Sequence, residues 1–301
     1  MQQMHPPEAP PQGLPVIQRP LDNTAVSAYM TCPKEYELGM VRHMRAAGIS
    51  PALDYGGLWH KMLEVHYKTG GDQDYVRMAW MKRGMEPVTD PEEHRTPERA
   101  WVDYLGYVKK YGAPQAETGK TVGWPHAPLV EVVSSVMGGG LIHPWTVKID
   151  RIIEVGGLYW VEDHKTTSRF DRNYWKQYEN SNQMLGYVYA ANLLFPQINI
   201  VGTRVNLLHL LKGGSNYERE YFPYSKGLLE EWKDNANHWM QRIAADTESG
   251  VFLKHFGDNG CSRKFGMCQY HRVCSAAPKI RENKLKEEFT YNPWNPLELD
   301  D

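Results

Sequence analysis

The chain has 301 residues, of which 41% are hydrophobic and 23% charged, the composition of an ordinary globular protein. Its formal net charge of −2 excludes a polycation, so any surface for nucleic acid has to be local. No stretch reaches the roughly 18 consecutive apolar residues that a membrane-spanning helix needs. The first 20 residues hold six prolines and no apolar signal segment. We therefore predict a disordered tail over 1–20 and a cytoplasmic protein without membrane partners.

Hydrophobic periodicity and turn residues predict a helical first part of the chain, with helices at 23–29, 31–38, 57–69, 73–84 and 96–111. The middle is rich in β-formers, with strands predicted at 129–136, 145–155, 158–165, 198–211 and 219–224. Two further helices are predicted, a long one at 172–195 and a last one at 226–246. This order predicts one mixed α/β domain over 21–276, with a helical insertion at about 70–112 and a C-terminal tail at 277–301.

Gly156-Gly157 separates two strand-like runs and is typical of a two-residue β-hairpin turn. The register that follows pairs Asp150 with Asp163 and places Lys165 on the same face, because residues two apart in a strand share a face. Paired carboxylates repel unless a positive charge lies between them, and a hard divalent cation is a natural candidate. A register shifted by one or two residues, in which the acids never meet, is the alternative.

The order Asp150, twelve residues, then Asp163-His164-Lys165 resembles the active-site pattern of the PD-(D/E)XK nuclease superfamily. The residues around these positions resemble its RecB-type branch. In the segment 56–64, Gly-Gly-Leu-Trp-His-Lys-Met-Leu-Glu is similar to the helical histidine motif of that branch. Gln183-Met-Leu-Gly-Tyr187 is similar to its Gln-x-x-x-Tyr motif, whose two residues share one helix face.

The resemblance implies a restriction-endonuclease-like core, a mixed sheet flanked by helices. Asp150 and Asp163 would bind Mg²⁺ or Mn²⁺, and His60 would complete the metal shell from its helix. Lys165 would orient the attacking water and stabilise negative charge on the phosphate.

Three further residues have implied roles. Glu131 resembles a second metal-site acid, and Gln183 and Tyr187 would hold DNA or brace the site. Each of these residues, and His60, also has an ordinary structural interpretation when taken alone. One position departs from the branch, because Val147 stands where a glycine is usual.

Only four cysteines occur: Cys32, Cys261, Cys268 and Cys274. Thiolates suit zinc or iron–sulfur centres, and disulfides are not expected without an export signal. The layout resembles the subset of RecB-type nucleases that binds a [4Fe–4S] cluster, which includes AddB nuclease domains and the CRISPR-adaptation iron–sulfur exonucleases. That resemblance implies a cluster that ties Cys32 to the region 261–274. A zinc site formed by Cys261, Cys268, His271 and Cys274 is the alternative.

Together these features predict a metal-dependent deoxyribonuclease, favoured as an exonuclease on single-stranded DNA or free DNA ends. Recombination, repair or phage DNA processing would be its setting, in a bacterial cell. A phage-encoded enzyme and partner proteins from recombination or CRISPR systems are further expectations. A non-catalytic DNA-binding or assembly module that keeps the fold is the alternative. A nuclease directed at RNA is a third hypothesis.

Two sets of residues are candidates for contact with DNA. A basic surface could be formed by Arg169, Arg172, Lys176, Arg204 and Lys212. Bases could stack on Trp145, Tyr174 and Trp175. The alternatives are a solvated face for the first set and core packing for the second.

Overall fold

The structure is a computed structural model that describes residues 21–123, 127–257, 261–263, 266–293, 295 and 297. The predicted tail at 1–20 lies outside these residues. The chain divides into two compact units. The terminal unit comprises the described residues of Met1–Gly48, Ser134–Val147 and Glu230–Asp301, and the central unit comprises those of Ile49–Val133 and Lys148–Leu229. The single domain predicted over 21–276 stays a prediction.

The described residues form nine α-helices: α1 (Asn23–Thr31), α2 (Pro33–Tyr36), α3 (Pro51–Lys68), α4 (Gln73–Arg83), α5 (Pro97–Tyr111), α6 (Asn182–Leu194), α7 (Lys226–Ser249), α8 (His271–Ser275) and α9 (Arg281–Glu288). Shorter turns are a π-helical one at Glu37–Val41 and two 3₁₀ ones at Tyr174–Tyr178 and Pro278–Ile280. None of the described helices has both the length and the apolar character needed to cross a membrane.

The same residues form eleven strands: β1 (Leu21–Asp22), β2 (Met44–Ala46), β3 (Lys120–Thr121), β4 (Val130–Val136), β5 (Trp145–Val155), β6 (Leu158–Thr167), β7 (Ile200–Leu211), β8 (Gly214–Pro223), β9 (Ser262–Arg263), β10 (Gly266–Met267) and β11 (Phe289–Tyr291). The prediction of a single long helix at 172–195 is wrong. The chain leaves the 3₁₀ turn after Tyr178 and starts α6 at a new N-cap, Ser181, whose hydroxyl accepts a hydrogen bond from the Met184 N–H.

The sheet of the central unit has the order β5-β6-β7-β8, and β3 and β4 also pair with β5. β6 runs parallel to β7, whereas β5–β6 and β7–β8 are antiparallel, so the sheet is mixed. The β5–β6 hairpin has the predicted register, from Val155 opposite Leu158 to Arg151 opposite Glu162. This pairing brings the next residues, Asp150 and Asp163, to the end of the ladder.

Helices flank the sheet of the central unit, which confirms the predicted α/β class. A core of aromatic and aliphatic side chains joins α3 and α5 to Leu208 and Leu210 of β7. Gln183 of α6 contacts Lys165, which pairs with Leu207 and therefore lies on the opposite face. Pro51 and the Ser50 cap begin α3, and its buried stripe, which includes Leu58 and Met62, fixes the rotation of the helix.

A buried ionic cluster lies on the sheet face that carries the α3–α5 core. Glu162 of β6 accepts a hydrogen bond from Arg151 of β5 at 3.0 Å and pairs with Arg204 of β7. All three side chains are fully buried. Arg151 also stacks over the Tyr67 ring at 3.6 Å and donates to the Gly119 carbonyl at 2.7 Å. One carboxylate thus joins three adjacent strands.

Two predicted surface contacts with DNA are wrong. Arg204 was expected on a basic surface, but it is fully buried and forms an ion pair with Glu162. Trp145 was expected as a base-stacking residue, but it is 1% exposed and packs edge-to-face on Trp232 within the terminal unit.

The terminal unit has its own small core, formed by Leu38, Tyr270, Val273, Leu285 and Phe289. β1 pairs in parallel with the start of β5, and Asp22 caps α1 by accepting from the Ala25 N–H at 2.7 Å. β2 pairs with β11, so residues near both ends of the described chain meet in this unit.

Glu162→Gln is expected to lower the free energy of unfolding by about 3–5 kcal/mol, because it leaves buried arginines without their counter-charge. Burial raises the pKa of Glu162, but Arg204 and Arg151 outweigh it and hold the pKa at about 2. The native carboxylate therefore contributes stability above about pH 4.5 and loses it as the pH falls toward 2. Urea unfolding at several pH values measures the free energy of unfolding of both proteins. The difference between the two values should become smaller in acid.

Lys212→Ala is the matched control, since the pair of Lys212 with Glu92 is exposed and its loss should change stability by less than about 1 kcal/mol. Equal stability of Glu162→Gln and the native protein at pH 7 would contradict the structural role of the cluster.

Candidate active site

Asp163 and Lys165 lie on one face of β6 near its end. The Lys165 Nζ is 2.7 Å from Asp163 Oδ2, and the Asp163 side chain is 2% exposed. Burial lowers the pKa of Lys165, but the charge of Asp163 raises it by more, so the net shift is upward. A cationic lysine and a buried carboxylate therefore form the centre of the site.

Asp150 is held by two donors. Its Oδ2 accepts from the main-chain N–H of His164 at 2.6 Å, and its Oδ1 lies 3.1 Å from Nδ1 of His60 on α3. Burial raises the pKa of Asp150, but the His60 charge and these hydrogen bonds lower it well below its usual range. The pKa of His60 is raised, because the charge of Asp150 outweighs the effect of burial. Asp150 is thus anionic across the neutral range.

The two aspartates have opposite pKa shifts. The pKa of Asp163 is raised, first by burial and then by the charge of Asp150, although Lys165 acts against both. Two neighbouring buried carboxylates repel each other, and a cation between them would relieve this repulsion.

A hydrogen-bond chain supports Lys165 from α6. The Lys165 ammonium donates to Gln183 Oε1 at 3.2 Å, and the Gln183 Nε2 donates to the Tyr187 hydroxyl at 2.8 Å. Because Gln183 and Tyr187 are four residues apart, one helix face presents both. Because an ammonium only donates, Lys165 requires the amide oxygen to face it, and Tyr187 holds the other end of the amide in place.

Glu131 of β4 makes an ion pair with Lys148 at 2.8 Å. Burial and then the charge of Asp150 raise its pKa, so this carboxylate lies near the aspartates without contacting them. Its backbone has φ of 55°, in the left-handed region that a residue with a Cβ rarely adopts. Such strain is tolerated chiefly where surrounding structure or function requires it.

Two contributors to the site, the His164 main chain and Asn206, were missed by sequence reasoning, and a third, Tyr174, was predicted only as a base-stacking residue. His164 acts through its main-chain N–H, while its buried ring stacks on Tyr67 and contacts Asn206. Burial lowers its pKa to about 4, so the ring is neutral. Tyr174 also interacts electrostatically with Lys165 and Asp163. A main-chain donor has no residue-type signal, and the contacts of Asn206 and Tyr174 depend on strand register and on a 3₁₀ turn that periodicity does not reveal.

The four cysteines belong to the terminal unit. Cys32 is buried and its Sγ accepts from the His255 N–H at 3.5 Å, while the Cys268 N–H donates to the Cys261 carbonyl at 2.7 Å. The pKa of Cys274 is raised, first by burial and also by Cys268, Cys32 and Cys261. All four thiols are therefore close enough to interact electrostatically.

Two groups of side chains are candidates for metal binding: the two aspartates with His60, and the four cysteines. Within the described ranges, no group of three or more His, Cys, Asp or Glu side chains is arranged closely enough to hold a metal ion. The iron–sulfur centre is therefore unsupported by a preformed ligand group. The donor types nevertheless fit: Asp150, Asp163 and His60 offer the oxygen and nitrogen ligands of Mg²⁺ or Mn²⁺.

Comparison with known proteins identifies the family of the chain. The family model of the PD-(D/E)XK nuclease superfamily matches residues 23–275. No curated protein matches the chain. Since the family model covers most of its length, the chain belongs to the PD-(D/E)XK nuclease superfamily.

Two solved structures are similar to the chain to different degrees. A protein from Eubacterium rectale named "Putative exonuclease" aligns with a TM-score of 0.51 and 12% identity, over 88% of this chain and 92% of that chain. LHK-Exo in complex with dAMP aligns with a TM-score of 0.28 and 11% identity, over 66% of this chain and 93% of its own. The first likeness supports the shared fold alone.

Tyr187→Phe is expected to lower nuclease turnover by roughly two- to tenfold, because the loss of one hydrogen bond leaves the Gln183 amide free to move away from the lysine. Initial rates on a labelled DNA strand measure the change. Tyr75→Phe, at a half-exposed position on α4, is the control and should keep the native rate. A native rate for Tyr187→Phe would exclude an orienting role for its hydroxyl.

Proposed function

We propose that this protein is a RecB-type deoxyribonuclease that needs Mg²⁺ or Mn²⁺ and acts as an exonuclease on single-stranded DNA or free DNA ends. The observation that carries the proposal is the patch formed by Asp150, Asp163 and Lys165, with two buried carboxylates of unequal acidity beside a cationic amine. Membership of the nuclease superfamily makes a phosphodiester the substrate class, with DNA as the expected nucleic acid.

The proposed roles follow from the contacts. Asp150, Asp163 and His60 would hold the cation, with Glu131 as a further acid at its edge. When bound, the cation would polarise the phosphate and lower the pKa of a water molecule. Lys165 keeps its proton on Nζ and supplies positive charge where negative charge develops on the phosphate. Gln183, fixed by Tyr187, holds that ammonium in one orientation.

The alternative is a non-catalytic DNA-binding module that keeps the nuclease fold. The arrangement of Lys165 favours catalysis, because a lysine that only balanced the charge of Asp163 would not need the Gln183–Tyr187 chain. Partners from recombination or CRISPR systems, and a bacterial or phage origin, belong to the same proposal through the RecB-type motifs.

A nuclease assay tests the proposal. Protein purified without oxygen is expected to degrade linear single-stranded DNA with Mn²⁺, to leave a matched circle intact, and to lose activity with EDTA. Lys165→Ala should lower the rate by at least about 10²-fold, because it removes a charge aimed at the transition state. Arg77→Ala, on the surface of α4, is a control for altered charge.

Cleavage of the circle would replace exonuclease by endonuclease action. Equal rates for the native protein and Lys165→Ala would refute this active site, and absence of any cleavage would favour the binding module.

The terminal unit is proposed to hold a [4Fe–4S] cluster through Cys32, Cys261, Cys268 and Cys274. Support comes from the electrostatic effect of the other three thiols on the pKa of Cys274 and from the link that a shared centre would make between distant parts of the sequence. A zinc site without Cys32 is the alternative.

Cys32→Ala is expected to abolish the brown absorbance near 400 nm that a thiolate-bound iron–sulfur centre would give to anaerobically purified protein. Elemental analysis for iron and zinc accompanies the spectrum. Zinc without iron, at the same level in both proteins, would establish the alternative site. Cys32→Ser serves as the variant of closest size, to separate ligand loss from a packing defect.

A further inference from the structure

A cavity of about 350 Å³ in the central unit lies between the 3₁₀ turn Tyr174–Tyr178 and β8, the last strand of the sheet. Its lining includes Trp175, Phe222, Tyr224, Glu179 and Glu220, and Tyr221 borders it on β8 although the Tyr221 side chain contacts Arg204 on the other face of the sheet. This volume falls within the roughly 300–1,000 Å³ of small-ligand sites. Of these residues only Trp175 was given a role above, as a candidate for base stacking.

The cavity and the candidate active site share one face of the sheet. Asp163 pairs with Val205 of β7, and Val205 pairs with Glu220 of β8, so the three residues face the same side. Adjacent strands are 4.7–4.9 Å apart, which puts Glu220 roughly 10 Å from Asp163 across the sheet. A DNA strand whose phosphate lies at Lys165 would therefore have a neighbouring nucleotide within reach of the cavity.

Aromatic rings join the two places. Tyr174 interacts with Lys165 and Asp163, and its ring centre is 5.8 Å from that of Tyr178. The Tyr178 ring is in turn 5.6 Å from Phe222 in the cavity wall. The rings of Tyr174, Tyr178 and Phe222 therefore form a continuous and largely buried aromatic contact between the lysine and the cavity wall.

The residues that line the cavity indicate which kind of ligand it would bind. Aromatic walls favour a flat ring, and carboxylates accept hydrogen bonds from N–H groups while repelling phosphate. Nucleobases with an exocyclic amino group combine both properties, and glutamate accepts from the amino group of cytosine. An arginine side chain of a protein partner also suits such walls. However, Arg169, Arg172 and Lys176 are exposed on the segment that carries Trp175, where they would repel a basic peptide and attract a DNA backbone.

We propose that this cavity binds an unpaired nucleobase of the substrate strand next to the scissile phosphate, with adenine, cytosine and guanine preferred over thymine. The proposal rests on the nuclease function above and assigns that function to single-stranded substrate, because a base within a duplex has to leave its stack to enter a pocket.

Fluorescence anisotropy in EDTA, which prevents cleavage, tests binding without catalysis. The native protein should bind labelled dC12 and dA12 more tightly than dT12 or a blunt duplex. Trp175→Ala should weaken binding of dC12 by roughly five- to hundredfold, the range for loss of one base-stacking ring, whereas Trp175→Phe should keep most of the affinity. Circular dichroism and thermal unfolding check that the variants fold.

The double substitution Glu179→Gln and Glu220→Gln should abolish the preference for dC12 over dT12, because an amide both donates and accepts. With Mn²⁺, Trp175→Ala should raise KM and keep kcat, since Lys165 and both aspartates are untouched.

Several outcomes would overturn the proposal while leaving the nuclease function intact. These are unchanged affinity and KM in Trp175→Ala, or equal native affinity for dC12 and dT12. Binding of an arginine-rich peptide that depends on Trp175, with oligonucleotide binding that does not, would assign the cavity to a protein partner. Conversely, the protein could bind bases selectively through Trp175 and yet never cleave DNA. That outcome would support this binding site and refute the nuclease function.

Discussion

Glu162 lies between Arg151 and Arg204 in the interior of the central unit and makes the β5–β6 hairpin intolerant of any shift in register. A slip by one residue would turn Glu162 toward the opposite face, remove the counter-charge of Arg204 and leave Arg151 with Glu117 alone. The same register sets Asp150 and Asp163 side by side on the other face. The ionic cluster around Glu162, which fixes the strand register, is therefore separate from the charged side chains that form the candidate site.

The candidate site holds two buried carboxylates, and different neighbouring groups stabilise each of them. His60 and the His164 N–H stabilise the anion of Asp150, whereas Lys165 is the main counter-charge of Asp163. Because the two acids receive unequal support, their pKa values move apart. One carboxylate of the candidate site therefore has a lowered pKa and the other a raised one.

Much of this arrangement could be read from the sequence, because it depends on local rules. The Gly156-Gly157 turn fixes strand register, and periodicity locates α3 with His60 and α6 with Gln183 and Tyr187. The errors arose where long-range contacts outweigh local preference. Arg204 is drawn inward by a carboxylate 42 residues earlier in the chain. The helix predicted over 172–195 breaks at Ser181. The cysteine ligands stay a prediction, since sequence spacing alone gives no distances between sulfur atoms.

Glu131 has a consequence for the evolution of this chain. Its left-handed backbone costs of order 1–3 kcal/mol, which glycine at the same position would largely avoid. Its ion pair with the half-exposed Lys148 returns little of that cost. Selection for thermal stability alone would therefore replace this glutamate by glycine. Among proteins descended from this chain, glutamate kept at position 131 would thus indicate that the carboxylate is still required, and glycine there would indicate that it is not. This comparison needs no assay of the protein.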